Sequence, residues 1–243
     1  MATATRKQRE IEQREDLVVR VARDMLVTEG YLGLTMDRVA AATEYSKGTI
    51  YGHFPNKEEL IAAVALSVQQ LRLDLFIRAA AFDGSSRERM TAIGMALEIF
   101  VRLYPRDFQA CRIIDSESIR EKISETRQQS LQAGDARCME VVGSIVRDAI
   151  AANDLELATS VTPESITFGL WSMNLGAYSL IYGDVPLERL GIDEPIEQLR
   201  QNSQRFMDGH GWKPLYKDFD FSKTVERINA EVFSDEIRRI HNA

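Results

Sequence analysis

TMDRVAAATEYSKGTIYGHFPNKEEL, residues 35–60, carries four local signals that together decide the architecture. Thr35 is a good N-cap for a helix from Met36 to about Thr43, with Asp37 where the positive end of the helix dipole favours an anion. Met36, Val39 and Ala40 form its inward face. Glu44-Tyr45-Ser46 reads as a tight turn, and Ser46 caps a second short helix from Lys47 to about His53. Phe54-Pro55 closes it, because the residue before a proline is pushed out of the helical region. Asn56, with Glu59 three residues on, has the spacing of a capping box, so a long helix opens there and runs to about Ala81. Two short helices across a tight turn, followed by a long one, make a helix-turn-helix. Its second helix holds Gly48 and Gly52, each about 1 kcal/mol worse than alanine for helix stability. Something other than propensity favours small residues there, and close approach of a DNA backbone is one physical reason.

Upstream, apolar residues from Ile11 to Leu26 recur at three- and four-residue spacing, which predicts an amphipathic helix over about Glu10 to Glu29, stopped by Gly30. Ala2 to Arg9 is small, polar and basic, and reads either as a loose tail or as an arm that follows DNA. Downstream, Ser85 with Glu88 predicts a capping box and a helix to Tyr104, ended by Pro105. Phe108 to Ile114 reads as a short helix, and Ser118 with Glu121 as the start of a long one stopping near Asn153. Thr162-Pro163-Glu164 supplies a cap, a proline at N1 and an acid in the first turn. The helix behind it, ended by Gly183, is apolar nearly all round and must be buried on more than one side. The core of the body can take one side and a partner subunit the other. Pro195 opens a helix to about Met207, then an irregular aromatic-rich segment follows over His210–Tyr216, and a last amphipathic helix over Ser222 to Ile240. The fold class is therefore all-α.

The chain has 243 residues, 44% hydrophobic and 28% charged, which suits one large core or two modest ones. A net charge of -7 counts against nucleic acid at first, but residues 1–60 hold nine Lys+Arg against ten Asp+Glu, so most of the excess lies beyond them. A near-neutral reader on an acidic body can bind DNA if its basic groups cluster on the docking face. The N-terminus has no apolar signal segment and no long run is uniformly apolar, so a cytoplasmic protein without membrane contact is expected. Cys111 and Cys138 are far apart and show no metal-ligand spacing, so they read as buried small hydrophobes. Three scattered histidines and the absence of GxSxG, P-loop, HExxH and GxGxxG signatures argue against an enzyme, a metal site or a cofactor.

The run from Thr35 to Val64, above all SKGTIYGHFPNKEEL at Ser46–Leu60, resembles the N-terminal domain of TetR-family transcriptional regulators. The likeness covers about residues 15–65; beyond that it is one of helical architecture only. It implies a three-helix DNA-binding domain at 1–60 and a larger helical effector-binding and dimerisation domain at 61–243. It also implies a homodimer on double-stranded operator DNA, acting as a repressor released by a small apolar or amphipathic effector. Carried over where the motif matches, the DNA-binding positions are Thr35, Lys47, Thr49, Tyr51, His53 and Lys57. Lys47 and Lys57 would neutralise phosphates, Thr35, Tyr51 and His53 would donate to phosphate oxygens, and Thr49 would touch a base edge or a thymine methyl. The plainer reading has Thr35 as a cap and Tyr51 and His53 as edge packing. Two positions depart from the family pattern: Glu44 stands where the turn commonly has glycine, and Gly52 where an aromatic or polar side chain precedes the histidine. The operator sequence therefore cannot be borrowed.

For the effector, the candidates are Phe100, Tyr104, Phe108, Ile145, Trp171, Asn174, Leu175 and Tyr178, each of which also reads as ordinary core or subunit seam. Asn174 stands out because an amide on an apolar helix face must find a partner. Two other readings compete. An effector-independent architectural protein of the same fold would show no closed cavity; a helical enzyme with a degenerate reader would show converging carboxylates and no DNA binding.

Overall fold

The computed structural model of the chain describes residues 6–114, 117–183 and 185–242, with side chains at 6–109, 119–183 and 185–242. Its helices are α1 (Arg6–Gly33), α2 (Met36–Thr43), α3 (Lys47–His53), α4 (Lys57–Ala80), α5 (Ser86–Leu103) and α6 (Pro105–Ile114). They continue as α7 (Glu117–Arg120), α8 (Glu125–Ala151), α9 (Pro163–Ile181), α10 (Pro195–Gly209), α11 (Phe221–Glu231) and α12 (Ser234–His241). Short 3-10 turns lie at Leu187–Leu190 and Tyr216–Asp218, and no strand occurs among the described residues. The fold is all-α, as the periodicity predicts. The chain forms two compact units: Met1–Leu71 with Arg106–Asp135, and Arg72–Pro105 with Ala136–Ala243.

In the first unit, Val18, Ala22 and Leu26 of α1 are buried, as are Met36, Val39 and Ala40 of α2, Ile50 of α3, and Leu60, Ile61 and Val64 of α4. Gly30 has φ 72°, the left-handed conformation that glycine takes without a Cβ penalty, and the chain then makes one more turn to Gly33. The helix starts earlier than expected: Arg6 to Arg9 belong to α1, where Arg6 pairs with Glu10 one turn on at 2.9 Å. They are thus not a loose arm, and residues 2–5 lie outside the described ones.

The expected capping box at α4 is only half formed. Asn56 Oδ1 accepts from the Glu59 N–H at 2.7 Å, but the Glu59 carboxylate turns to the Ser124 N–H and to Arg127 Nε, the latter at 3.2 Å. Glu58 takes Lys122 at 3.1 Å and Tyr31 at 3.2 Å. Burial acts to raise both carboxyls, and these bonds outweigh it and hold both below the usual carboxylate range. Their contribution to stability is fully present above that range and is lost as pH falls through the lowered values. The same contacts shift a helix start. The long helix expected from Ser118 begins instead at Glu125, after α7, with Ser124 Oγ accepting from the Arg127 N–H at 3.3 Å; the side chain of Ser118 lies outside the described ones. In the same unit, buried Asp107 of α6 holds Arg23 of α1 through two bonds, at 2.7 and 2.9 Å.

In the second unit, both halves of the Ser85–Glu88 box form at the start of α5. Helix α10 packs on α9, and Gly169 permits it: a Cβ there would lie 2.5 Å from the Phe206 ring. The helix expected over Ser222–Ile240 is two, α11 and α12. The chain bends at Val232–Phe233 and buries the Phe233 ring completely, with the Arg78 guanidinium 5.3 Å from its centroid. The irregular aromatic segment is anchored by fully buried Trp212, whose Nε1–H donates to Ser86 Oγ at 3.0 Å, and Ser86 donates to Asp154 at 2.8 Å. Beside it the fully buried Arg87 donates to the Trp212 carbonyl at 2.6 Å and to Gln204 Oε1 at 3.0 Å, and pairs with Asp208 at 2.7 Å. Burial pushes the Arg87 guanidinium below its ordinary pKa, and Asp208 offsets part of that.

Helix α4 is long and apolar enough by composition to cross a membrane, with a window of mean hydropathy 1.6, which the sequence reading did not foresee. Its Leu60, Ile61, Val64 and Val68 are nevertheless core residues, as in any central helix of a folded domain. Cys138 is buried, as expected, while the side chain of Cys111 lies outside the described ones.

Candidate nucleic-acid interface and ligand cavity

The reader is built from caps. Thr35 Oγ1 accepts from the Arg38 N–H at 3.3 Å at the start of α2. At its end the Tyr45 N–H reaches the Ala40 carbonyl at 3.2 Å and the Glu44 N–H reaches Ala41 at 3.3 Å, the paired bonds of a Schellman ending. That ending puts Glu44 in the left-handed region, at φ 58° and ψ 21°. Here is the physical reason a glycine suits the turn: an L-residue pays about 1–2 kcal/mol for that conformation. Glu44→Gly relieves the penalty and gives back part of it as unfolded-chain entropy, so a net gain of about 0.5–1 kcal/mol in urea-unfolding stability is expected. A loss instead would show that the Glu44 side chain makes a stabilising contact.

Ser46 Oγ accepts from the Thr49 N–H at 3.1 Å and lies 2.9 Å from Thr49 Oγ1. Lys47 and Asp37 pair at 2.7 Å with side chains 65% and 61% exposed, a solvated pair worth at most about 1 kcal/mol. Lys47 can therefore exchange Asp37 for a phosphate at little cost. Tyr51 is exposed on the same helix. Nothing in the protein comes within 4 Å of a Cβ built at Gly52, and only Ser46 Oγ does at Gly48, at 3.8 Å. Internal packing does not explain either glycine.

Two positions carried over by the motif are engaged within the protein. His53 Nδ1 lies 3.2 Å from Glu15 of α1, its side chain only 13% exposed. Lys57 donates to the Tyr31 carbonyl and sits 3.8 Å above the Tyr31 ring; burial lowers its ammonium pKa and Glu58 opposes that.

The second unit contains a cavity of about 80 Å³ among Phe76 of α4, α5, α8, α9, α10 and the first residue of α11. Trp171, Asn174 and Tyr178, three of the candidates named from the sequence, line it. The Asn174 amide finds the partner it requires, the Leu170 carbonyl at 2.8 Å. The other five candidates are not in the wall. Phe100 and Ile145 are core, Tyr104 ends α5, Leu175 is exposed, and Phe108 is buried in the first unit. Sequence reasoning missed Met90, Met139, Arg200, Gln204 and Phe221, which do line it. The three- and four-residue spacing of Leu199, Ser203, Gln204 and Met207 marks one face of α10 and was the available signal. Burial raises the Tyr178 phenol pKa well above its ordinary value. Among the described residues no group of three or more His, Cys, Asp or Glu is placed to hold a metal ion.

Residues 18–64 match the family described as bacterial regulatory proteins, tetR family. No curated protein matches the chain in sequence. Among solved structures, the chain is similar to a protein of unknown function from Rhodococcus sp. RHA1, with TM-score 0.65 and 18% identity over 82% of this chain and 95% of that one. A TetR transcription regulator from Haloarcula marismortui gives TM-score 0.64 and 18% identity over 82% and 98%. A TetR/AcrR-family regulator from Thermobifida fusca gives TM-score 0.59 and 24% identity over 78% and 95%. At these identities the structures speak to the fold alone, and they share it from the reader into the helical body.

Proposed function

We propose, from the match of residues 18–64 to the tetR family of bacterial regulatory proteins, that the chain is a DNA-binding transcriptional regulator of TetR type, a homodimeric repressor released from operator DNA by a small molecule in the second unit. The observation that carries the proposal is the outer face of α3. It presents Lys47 and Tyr51, with half-buried Thr49, beside two glycines that internal packing does not explain. A phosphate backbone approaching this face explains why helix propensity is sacrificed there.

The dimer is supported by α9, where Phe168 is 61% exposed and Trp171, Leu175 and Leu180 are exposed with it, a large apolar surface for a lone chain. Two copies would offer two reading helices to successive major grooves, about 34–36 Å apart. Helix α4 carries both Lys57 and Phe76 of the cavity wall, so a ligand beside Phe76 acts on the helix that opens next to the reader. Release requires that the ligand bind the DNA-incompetent state more tightly.

Selection from random double-stranded DNA tests this. Enrichment of sequences with two related half-sites is expected, and Gly48→Ala should weaken their binding about tenfold or more while making the protein more stable, by up to about 1 kcal/mol. No enrichment at low salt would remove the DNA-reading role, and single half-sites would remove the dimer.

A further inference from the structure

We propose that the cavity of the second unit admits an uncharged, mainly apolar molecule carrying a hydroxyl or similar neutral donor, and rejects acids and amines of the same size. This deepens, and rests on, the reading of that cavity as a ligand site.

The walls are apolar, with Met90, Met95, Met139, Met207, Trp171 and Phe221 among them, and four flexible thioethers let them adapt to shape. The lining holds two charges, Glu98 and Arg200, and they are spent on each other. Arg200 Nε donates to Glu98 Oε2 at 2.9 Å, and its Nη2 to Oε1 at 2.8 Å and to Oε2 at 2.7 Å. Arg102 adds a bond to Glu98 at 3.2 Å, and Glu197 one to Arg200 at 3.4 Å, so the four groups sum to zero. Glu98 is only 4% exposed. An acid entering the cavity would have to draw Arg200 away and leave buried Glu98 with only the longer bond from Arg102; an amine would have to compete with Arg200 for Glu98. Breaking one side of such a pair is costly, and a charge left among methionines and leucines is costlier still.

The neutral polar groups point the same way. Ser203 donates its hydroxyl proton to the Leu199 carbonyl at 3.0 Å, and Thr91 donates to the Arg87 carbonyl at 3.0 Å. Thr91 also accepts from Gln204 Nε2 at 3.1 Å, and Asn174 spends one amide hydrogen on Leu170. The hydroxyl protons of Ser203 and Thr91 are thus occupied, and the lone pairs of Ser203 Oγ and Asn174 Oδ1 are acceptors suited to a guest that donates.

Titration calorimetry on the full chain without DNA tests this, using hexyl, octyl and decyl alcohols beside the matching carboxylates and ammonium ions at neutral pH. The alcohol of the best-fitting length is expected to bind at least about tenfold more tightly than either ion of that length. An ion within tenfold of the alcohol, or no alcohol binding at any length, overturns the proposal. Glu98→Gln, which frees Arg200, should shift the octanoate-to-octanol affinity ratio about tenfold or more toward octanoate; an unchanged ratio in the folded variant overturns the electrostatic argument. An alcohol that binds yet leaves the protein on its operator refutes release by ligand and leaves the ligand class standing.

Discussion

Trp212→Ala is expected to destabilise the protein by about 3–5 kcal/mol, the cost of removing a large buried aromatic without collapse of the space it leaves. Trp212 is fully buried, its indole N–H holds Ser86, and Ser86 holds Asp154. Its carbonyl is one of four acceptor contacts around the buried Arg87 guanidinium. Truncation therefore opens a void and takes the donor from Ser86 Oγ in the same step. Against a typical total of about 5–15 kcal/mol, that is a large share of stability. Urea unfolding followed by circular dichroism measures the loss, and trypsin should cut the variant first at Lys217, beside the lost anchor. Trp212→Phe, which keeps most of the volume and loses the N–H, should fall between the two. A change under about 1 kcal/mol would mean that the segment beyond α10 unfolds apart from the cooperative core.

Lys47→Glu is expected to lower DNA affinity about a hundredfold at moderate salt and to reduce the salt slope by about two, because one phosphate-neutralising cation becomes a repelled anion. The pair with Asp37 at 2.7 Å does not argue against this, since both groups are more than half exposed and the pair dissolves at little cost. The substitution also places two carboxylates side by side, so Lys47→Ala is measured with it: the slope should fall by about one, with no change in fold. Slopes unchanged in both variants would remove Lys47 from the interface.

What was legible in the sequence follows from the range of the interactions. Thr35, Ser46, Pro55 and Ser85 act within three residues of themselves, and the helices they bound stand where they were expected. The start of α8 was misplaced because it answers to Glu59, a residue 65 positions earlier that binds Ser124. The break between α11 and α12 was missed because it serves the burial of Phe233, and periodicity alone continues through it. The cavity shows the same limit. Trp171, Asn174 and Tyr178 line it together, since residues three and four apart on a helix share a face. Phe100 and Ile145 look no different in sequence from Met139, and only packing decides which apolar side chain borders a space. Arg87 drew no notice, because nothing nearby in the chain announces that Gln204 and Asp208 will surround it.

The two tryptophans sit in opposite surroundings: Trp171 is 39% exposed in the cavity wall, and Trp212 is shut away entirely. The chain thus has two optical reporters that respond to different events. Emission from Trp212 is expected toward the blue, shifting red only when the core opens, whereas Trp171, in the cavity wall, is the component that an occupying guest would change. Ligand entry and unfolding can therefore be told apart in a single cuvette, without attaching a dye.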